Sequence, residues 1–433
     1  MNYIQEQYQS KLRTADEIAA TIQPNTICAT STGTAEPVGI TAAIGRHVRE
    51  HNISGVIHHQ TMSIHPSSFF DPALNGKYNA VSWFSTEYGR KAFAEGRAEM
   101  LPTFFRDGPK VYADYIDVDV FYATVSPMDE HGYFSLGTSC AEAMTLLQKA
   151  KRCFLEVNEN MPRTFGNNAV HISQVTMLCR NDVPLTTAGS TKIDDVSRAI
   201  GELIAERIVD GSTIQLGIGA VPDAVGSLLK GKRNLGIHTE LFTDSMMELI
   251  ECGAVTNSTK KTNRFKSVTT FAHGSQRMYE FLNNNVGVEF HPVDYTNDPA
   301  VIAQNDNFVS VNACLEVDFW GQVASESIGP RHYSGTGGQV DFVQGAIASK
   351  NGQSFLTLPS TAKGGTISRI VPMLKAGTIV STTKNDVDNI VTEYGVAKLR
   401  GRTVSQRVKA LIEIAHPDFR DQLRFEARKM NLI

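Results

Sequence analysis

Two glycines and one carboxylate, close together in the chain, are the residues best suited to chemistry. Gly217 and Gly219 follow the β-prone run Thr213–Leu216, and Glu240 ends the stretch Leu235-Gly-Ile-His-Thr-Glu. Glycines let backbone N–H groups approach an anion or a developing oxyanion with no Cβ in the way. A carboxylate beside such a cradle can act as a general base, a metal ligand or a nucleophile, or it can be a simple helix cap. Metal binding would need company at fixed spacing. His238 is two residues earlier and a third ligand is not evident, so His238 reads as a core histidine.

These residues need elements to hold them. Thr213–Leu216 reads as a strand, and the helix after it is expected over Pro222–Lys230, with Pro222 in the first turn and Asp223 complementing the helix dipole. A second buried strand, Leu235–His238, delivers Glu240 to its carboxyl end, and Ser245-Met-Met-Glu248 has a capping-box pattern for a following helix. The glycine loop and the carboxylate thus leave adjacent strands on one rim, where open α/β sheets bind ligands. The loop lacks the third glycine of a dinucleotide fingerprint, because Pro222 occupies that position, and no Gly-Lys-Ser/Thr follows to make a phosphate loop.

The chain has 433 residues, 41% hydrophobic and 20% charged, which suits two large α/β domains. A net charge of −4 gives no reason to expect nucleic acid or an anionic membrane as partner. With no long apolar run and no signal pattern at the N-terminus, the expected location is the cytoplasm. Six cysteines lie far apart with no Cys-x-x-Cys, so they read as reduced and mostly buried.

Strand, small-residue loop and helix alternate along both halves, which indicates parallel βα units. In the first half, Thr26–Thr30 runs into Ser31-Thr-Gly-Thr-Ala-Glu-Pro37, and strands are expected at 55–58, 80–83, 117–125 and 153–157. Residues 1–23 look helical. A loop of Pro, Gly, Ser and Thr over 182–192 sets the domain boundary near residue 190, giving domains 1–190 and 191–433. In the second half a long helix is expected from 194 to 209, strands at 267–271, 288–292, 308–312, 354–358 and 378–382, and a helix opened by Gly335-Thr-Gly-Gly-Gln-Val-Asp-Phe342.

Several separated motifs together resemble the acetyl-CoA hydrolase/transferase family. They are Gln215-Leu-Gly-Ile-Gly-Ala-Val-Pro222, His238-Thr-Glu-Leu241 with Asp244-Ser-Met-Met247, Asn312-Ala-Cys-Leu-Glu-Val-Asp318, the Gly335–Phe342 run, and Val391-Thr-Glu-Tyr-Gly-Val-Ala397 through Leu399-Arg-Gly401. Ser126–Gly137 and Val157–Pro162 match as well, so the resemblance spans essentially the whole chain, nearest to the 4-hydroxybutyrate or butyrate CoA-transferase branch.

The resemblance implies two open α/β domains with the active site in the cleft between them, and ping-pong transfer of CoA between short-chain carboxylates. It implies Glu240 as the nucleophile and Asn312 as its catalytic companion. CoA contacts fall on Gly217, Ile218, Gly219, Ala220 and Val221, on Gly337 and Gly338, and on Lys363. Candidates for the acyl-pocket wall are the Ser31–Pro37 loop, His58 and Thr61–Pro66. CoA is a substrate in this reading; no resident cofactor or metal is implied, and the expected assembly is a homodimer or larger. Hydrolysis is the alternative if water reaches the glutamyl thioester.

Overall fold

Buried β-prone runs set the architecture. Val120–Val125 is covered on both faces, as a central parallel strand must be when helices pack on each side. The computed structural model of the protein describes residues 3–189 and 192–433. Two compact units make up the chain: Met1–Gly189 with Val268–Thr296, and Ser190–Ser267 with Asn297–Ile433. The boundary expected near residue 190 lies outside the described residues. Residues 268–296, which the sequence reading assigned to the second domain, belong to the first unit. There Glu289 pairs in register with Phe165, and the Ala272 N–H donates to the Thr138 carbonyl at 2.8 Å.

The first unit carries a seven-stranded parallel sheet: β1 (Ile27–Thr30), β2 (Val56–Gln60), β3 (Tyr78–Ser82), β4 (Ala98–Met100), β5 (Val120–Val125), β6 (Arg152–Val157) and β7 (Met177–Arg180). The order is β7-β6-β5-β1-β2-β3-β4. Helix α1 (Val38–Glu50) buries Ile40, Ala43, Ile44 and Val48 against it. Each of the fully buried Ile and Val side chains contributes about 1.5–3 kcal/mol. The N-terminal stretch forms two helices, Tyr3–Lys11 and Ala15–Ala19, because Thr14 makes a capping box with Glu17 and starts a new helix.

The second unit carries a six-stranded sheet: β8 (Thr213–Leu216), β9 (Gly236–Ile237), β10 (Phe308–Ala313), β11 (Gln353–Thr357), β12 (Asn389–Thr392) and β13 (Gly395–Lys398). Its order is β9-β8-β10-β11-β12-β13, and the pairs are parallel except for the β12–β13 hairpin. The chain moves outward from β8 to β9 and then returns to place β10 on the other side of β8. The strand order therefore reverses between β8 and β10, and such a reversal opens a crevice at the carboxyl ends of the two strands. Helix α2 (Asp195–Ala205), capped by Asp194 on the Ser197 N–H, ends four residues short of expectation. Residues 378–382 form no strand; only Thr382 bridges to Val323.

Candidate active site

Register places the candidate residues at the reversal. Leu216 pairs with Val311, so Gly217 and Asn312 are the next residues along β8 and β10. Ile214 pairs with Ile237, so Gly217 and Glu240 each lie three residues beyond a matched pair. Glu240, Gly217 and Asn312 thus leave three neighbouring strands at one level.

The two glycines do different work. The Gly217 N–H donates to the Val311 carbonyl at 2.8 Å, so it belongs to the sheet ladder and is not offered to a ligand. What Gly217 supplies is space: a Cβ there would stand 3.2 Å from the Val311 oxygen and 3.3 Å from Asn312 Oδ1. Gly219 has φ 119° and ψ −178°, a conformation confined to glycine, and serves as N-cap of α3 (Ala220–Leu228). That cap starts the helix two residues earlier than expected and moves Pro222 to its third position, where the missing N–H still costs no helical bond. The first-turn N–H groups of Ala220 and Val221 have no acceptor within the helix, which makes them the loop's donors. Ile218 between the glycines is 61% exposed.

Beyond β9 the chain turns through Thr239 and Glu240 into a second short strand, Leu241–Phe242, before helix α4 (Asp244–Glu251) begins. The Ser245–Glu248 capping box does not form, because Thr243 is the N-cap residue and Ser245 lies inside the helix, with its hydroxyl 3.0 Å from that of Thr243. Lys260, fully enclosed, donates from Nζ to the Ile237 carbonyl at 2.8 Å and braces β9 just ahead of Glu240. His238 is buried with its ring edge-on to Phe308, as a core histidine would be.

The Glu240 carboxylate is half-buried and accepts from Asn297 Nδ2 at 2.7 Å. The same Nδ2 donates to Asp341 Oδ2 at 3.2 Å, and both Asn297 and Asp341 are fully buried. Gly338 closes the arrangement. It is the N-cap of helix α5 (Gln339–Ala348), and a Cβ on it would collide with Glu240 Oε2 and Asn297 Nδ2. The carboxylate therefore rests beside the positive end of a helix dipole, where negative charge is stabilised. Gly337, at φ 57°, makes the turn that brings Gly338 there.

Two expected residues stand differently. Asn312 is held in a reciprocal amide pair: Gln215 Nε2 donates to Asn312 Oδ1 at 3.1 Å, and Asn312 Nδ2 donates to Gln215 Oε1 at 3.2 Å. Lys363 is exposed at φ 48° in the turn between the short strands Thr361–Ala362 and Ile367–Ser368. Asn297, Asp341, Gln215 and Lys260 were not singled out from the sequence. Gln215 and Asp341 lie inside the quoted motifs; Asn297 and Lys260 carry no motif at all.

In the first unit, the loop after β1 and the segment after β2 enclose two carboxyl groups. Glu36 accepts from the hydroxyls of Ser63 and Ser67, and Glu142 accepts from Thr61 Oγ1 at 2.6 Å. Burial pushes both up to about 7. His58 is fully enclosed, stacked on Phe69 at 4.0 Å and hydrogen-bonded to Tyr122 at 2.9 Å, and burial holds its pKa well below the usual range. It lies fully buried inside the first unit.

Residues 1–187 match the acetyl-CoA hydrolase/transferase N-terminal domain, and residues 274–427 match the C-terminal domain of the same family. The chain belongs to the acetyl-CoA hydrolase/transferase family. Among members of this family, it is 47% identical over 430 residues to the succinyl-CoA:cyclohexane-1-carboxylate CoA transferase of Geobacter metallireducens, covering 99% of this chain and 98% of that one. It is 42% identical over 426 residues to the 4-hydroxybutyrate coenzyme A transferase of Clostridium kluyveri, covering 98% and 99%. The crystal structure of RipA from Yersinia pestis superposes with a TM-score of 0.94 at 38% identity, over the whole of both chains. Membership bears out the resemblance read from the motifs, and the two α/β units match the expected fold class.

Proposed function

We propose that the protein is a CoA-transferase that exchanges CoA between short-chain carboxylates, with Glu240 as the group that carries CoA between half-reactions. Support comes from relatives over the full chain whose names describe CoA transfer, among them enzymes for butyryl-CoA and acetate and for 4-hydroxybutyrate. The observation that carries the assignment is the Glu240 carboxylate held between Asn297 Nδ2 and the bare Cα of Gly338 at a helix N-terminus.

In this reading, a Glu240 oxygen attacks the thioester carbonyl carbon, the C–S bond breaks, and an acyl–glutamyl anhydride and CoA thiolate result. The thiolate attacks the glutamyl carbonyl, releasing the donor carboxylate and leaving a glutamyl-CoA thioester. An acceptor carboxylate then reverses the two steps, and Glu240 is regenerated. A carboxylate is a weak nucleophile towards a thioester, so donors must be in place for the charge that forms on the carbonyl oxygen. The N–H groups of Ala220 and Val221 and the amide of Asn312 are our candidates. Asn297 holds one Glu240 oxygen and so fixes the orientation of the carboxylate. Binding energy from the distant parts of CoA can be applied at the reacting bond. Free cysteines, buried except for Cys252, suit a cytoplasmic enzyme.

Incubation with acyl-CoA and no acceptor, followed by intact-mass analysis, tests this. Wild type should gain covalently bound CoA and Glu240→Ala should not. Equal spectra together with equal exchange rates would rule the assignment out.

A further inference from the structure

We infer that Gln215 is a positioning residue for the transfer reaction, acting through Asn312; the inference rests on the role proposed for Asn312 above. In the parallel pair β8–β10, Gln215 is opposite Ser310, so its side chain shares a face with Asn312, two residues further on. The two side-chain amides bond head to tail at 3.1 and 3.2 Å, both of them buried. A primary amide has two N–H donors and one carbonyl oxygen. The reciprocal pair consumes one N–H and the oxygen of each. Exchanging O and N on both partners preserves the pair, so either assignment leaves one Asn312 N–H over.

That remaining N–H belongs to a residue at the carboxyl end of β10, where the strand order reverses, and opposite Gly217, which contributes no Cβ. Rotation of the Asn312 amide is restrained by the Gln215 pair, and Gly217 leaves the space that the paired amide occupies, since a Cβ there would stand 3.3 Å from Asn312 Oδ1. A donor fixed before the reaction stabilises developing charge without a reorganisation cost. If the only task were to join two strands, a pair of apolar side chains would fill the same space without a polar network to satisfy.

The test uses the full-length enzyme with Gln215→Ala and Gln215→Glu. Gln215→Ala frees the Asn312 amide to rotate; kcat should fall by about 10–100-fold with KM for acyl-CoA little changed. Gln215→Glu gives a sharper readout. A protonated carboxylic acid can donate and accept as the amide does, whereas the carboxylate can only accept. The ratio of Gln215→Glu to wild-type kcat should therefore rise about tenfold or more as pH falls from about 8 to about 6, since burial raises a carboxyl pKa. A merely structural role would not make kcat follow the protonation of one introduced group.

If Gln215→Ala does not fold, Gln215→Glu decides alone. A flat ratio, or a Gln215→Ala enzyme with wild-type kcat, overturns the inference while the Glu240 assignment stands. A wild type that neither exchanges CoA nor forms the covalent adduct overturns both.

Discussion

The Glu240 carboxylate rests against the bare Cα of Gly338, so close that a Cβ there would lie 3.0 Å from Glu240 Cδ and closer still to Oε2. At φ −101° Gly338 has a backbone conformation open to any residue, so its requirement for glycine is one of space alone. Gly338→Ala should therefore fold, yet displace the carboxylate and the Asn297 amide and cut kcat by about a hundredfold or more. Measured kcat and Tm should separate: a large loss in the first, a small one in the second. Gly338→Ala with full activity would show that the placement of this carboxylate is not critical.

Asn297 donates to Glu240 and to Asp341 from one nitrogen. Asn297→Asp replaces that donor with a third acidic group among two others, and Asn297→Ala removes it. Both should lower kcat, and Asn297→Asp should lose more, because like charges crowd a half-buried nucleophile. Loss of this buried donor should also cost about 1–3 kcal/mol of stability, read from denaturant unfolding. Wild-type rates in both variants would remove Asn297 from the mechanism.

The paired glycines should respond in opposite ways. Gly219→Ala meets open space but must adopt φ 119°, at a cost of about 1–3 kcal/mol, so unfolding should move more than kcat. Gly217→Ala has no such backbone cost. Its Cβ would press on the Val311 carbonyl and Asn312 Oδ1, so kcat should move more than stability. Matched unfolding and steady-state measurements on the two variants check the crossing pattern.

Strands whose burial alternates or is complete were legible in the sequence, as were the glycine loops between them. The rim bearing Gly217, Glu240 and Asn312 followed from those strands once their register was known. Helix starts were less legible where a backbone conformation decided them. Gly219 at φ 119° moved one helix start, and Thr243 displaced the Ser245 capping box by taking the N-cap position itself. Asn297 was invisible because its role depends on where the chain returns from the first unit, and no local pattern reports such a long-range arrival. Gln215 sat in a quoted motif, but its partner is 97 residues away. Lys363 was singled out by alignment to a family pattern, and the structure puts it on an exposed turn with φ 48°.

Stability should carry the signature of the two enclosed carboxyl groups of the first unit. A glutamate carboxyl ordinarily titrates near 4.5, and burial pushes both Glu36 and Glu142 up to about 7. A carboxyl whose folded pKa exceeds its unfolded value holds its proton more tightly in the fold. Its contribution is complete below about 4.5 and is lost as pH rises through about 7. Buried His59, lowered to about 4, works in the other direction: protonation of the unfolded chain costs stability as pH falls below 6.5. Wild-type stability alone therefore mixes opposing slopes, and the difference between wild type and Glu36→Gln isolates one of them. That difference should shift in favour of Glu36→Gln by up to about 3 kcal/mol between pH 4 and pH 8. Glu142→Gln should behave alike, with Thr61 Oγ1 still able to donate to the amide oxygen. Urea unfolding at several pH values gives the result, and a difference that does not vary with pH would mean that Glu36 has the same pKa in the folded and the unfolded chain.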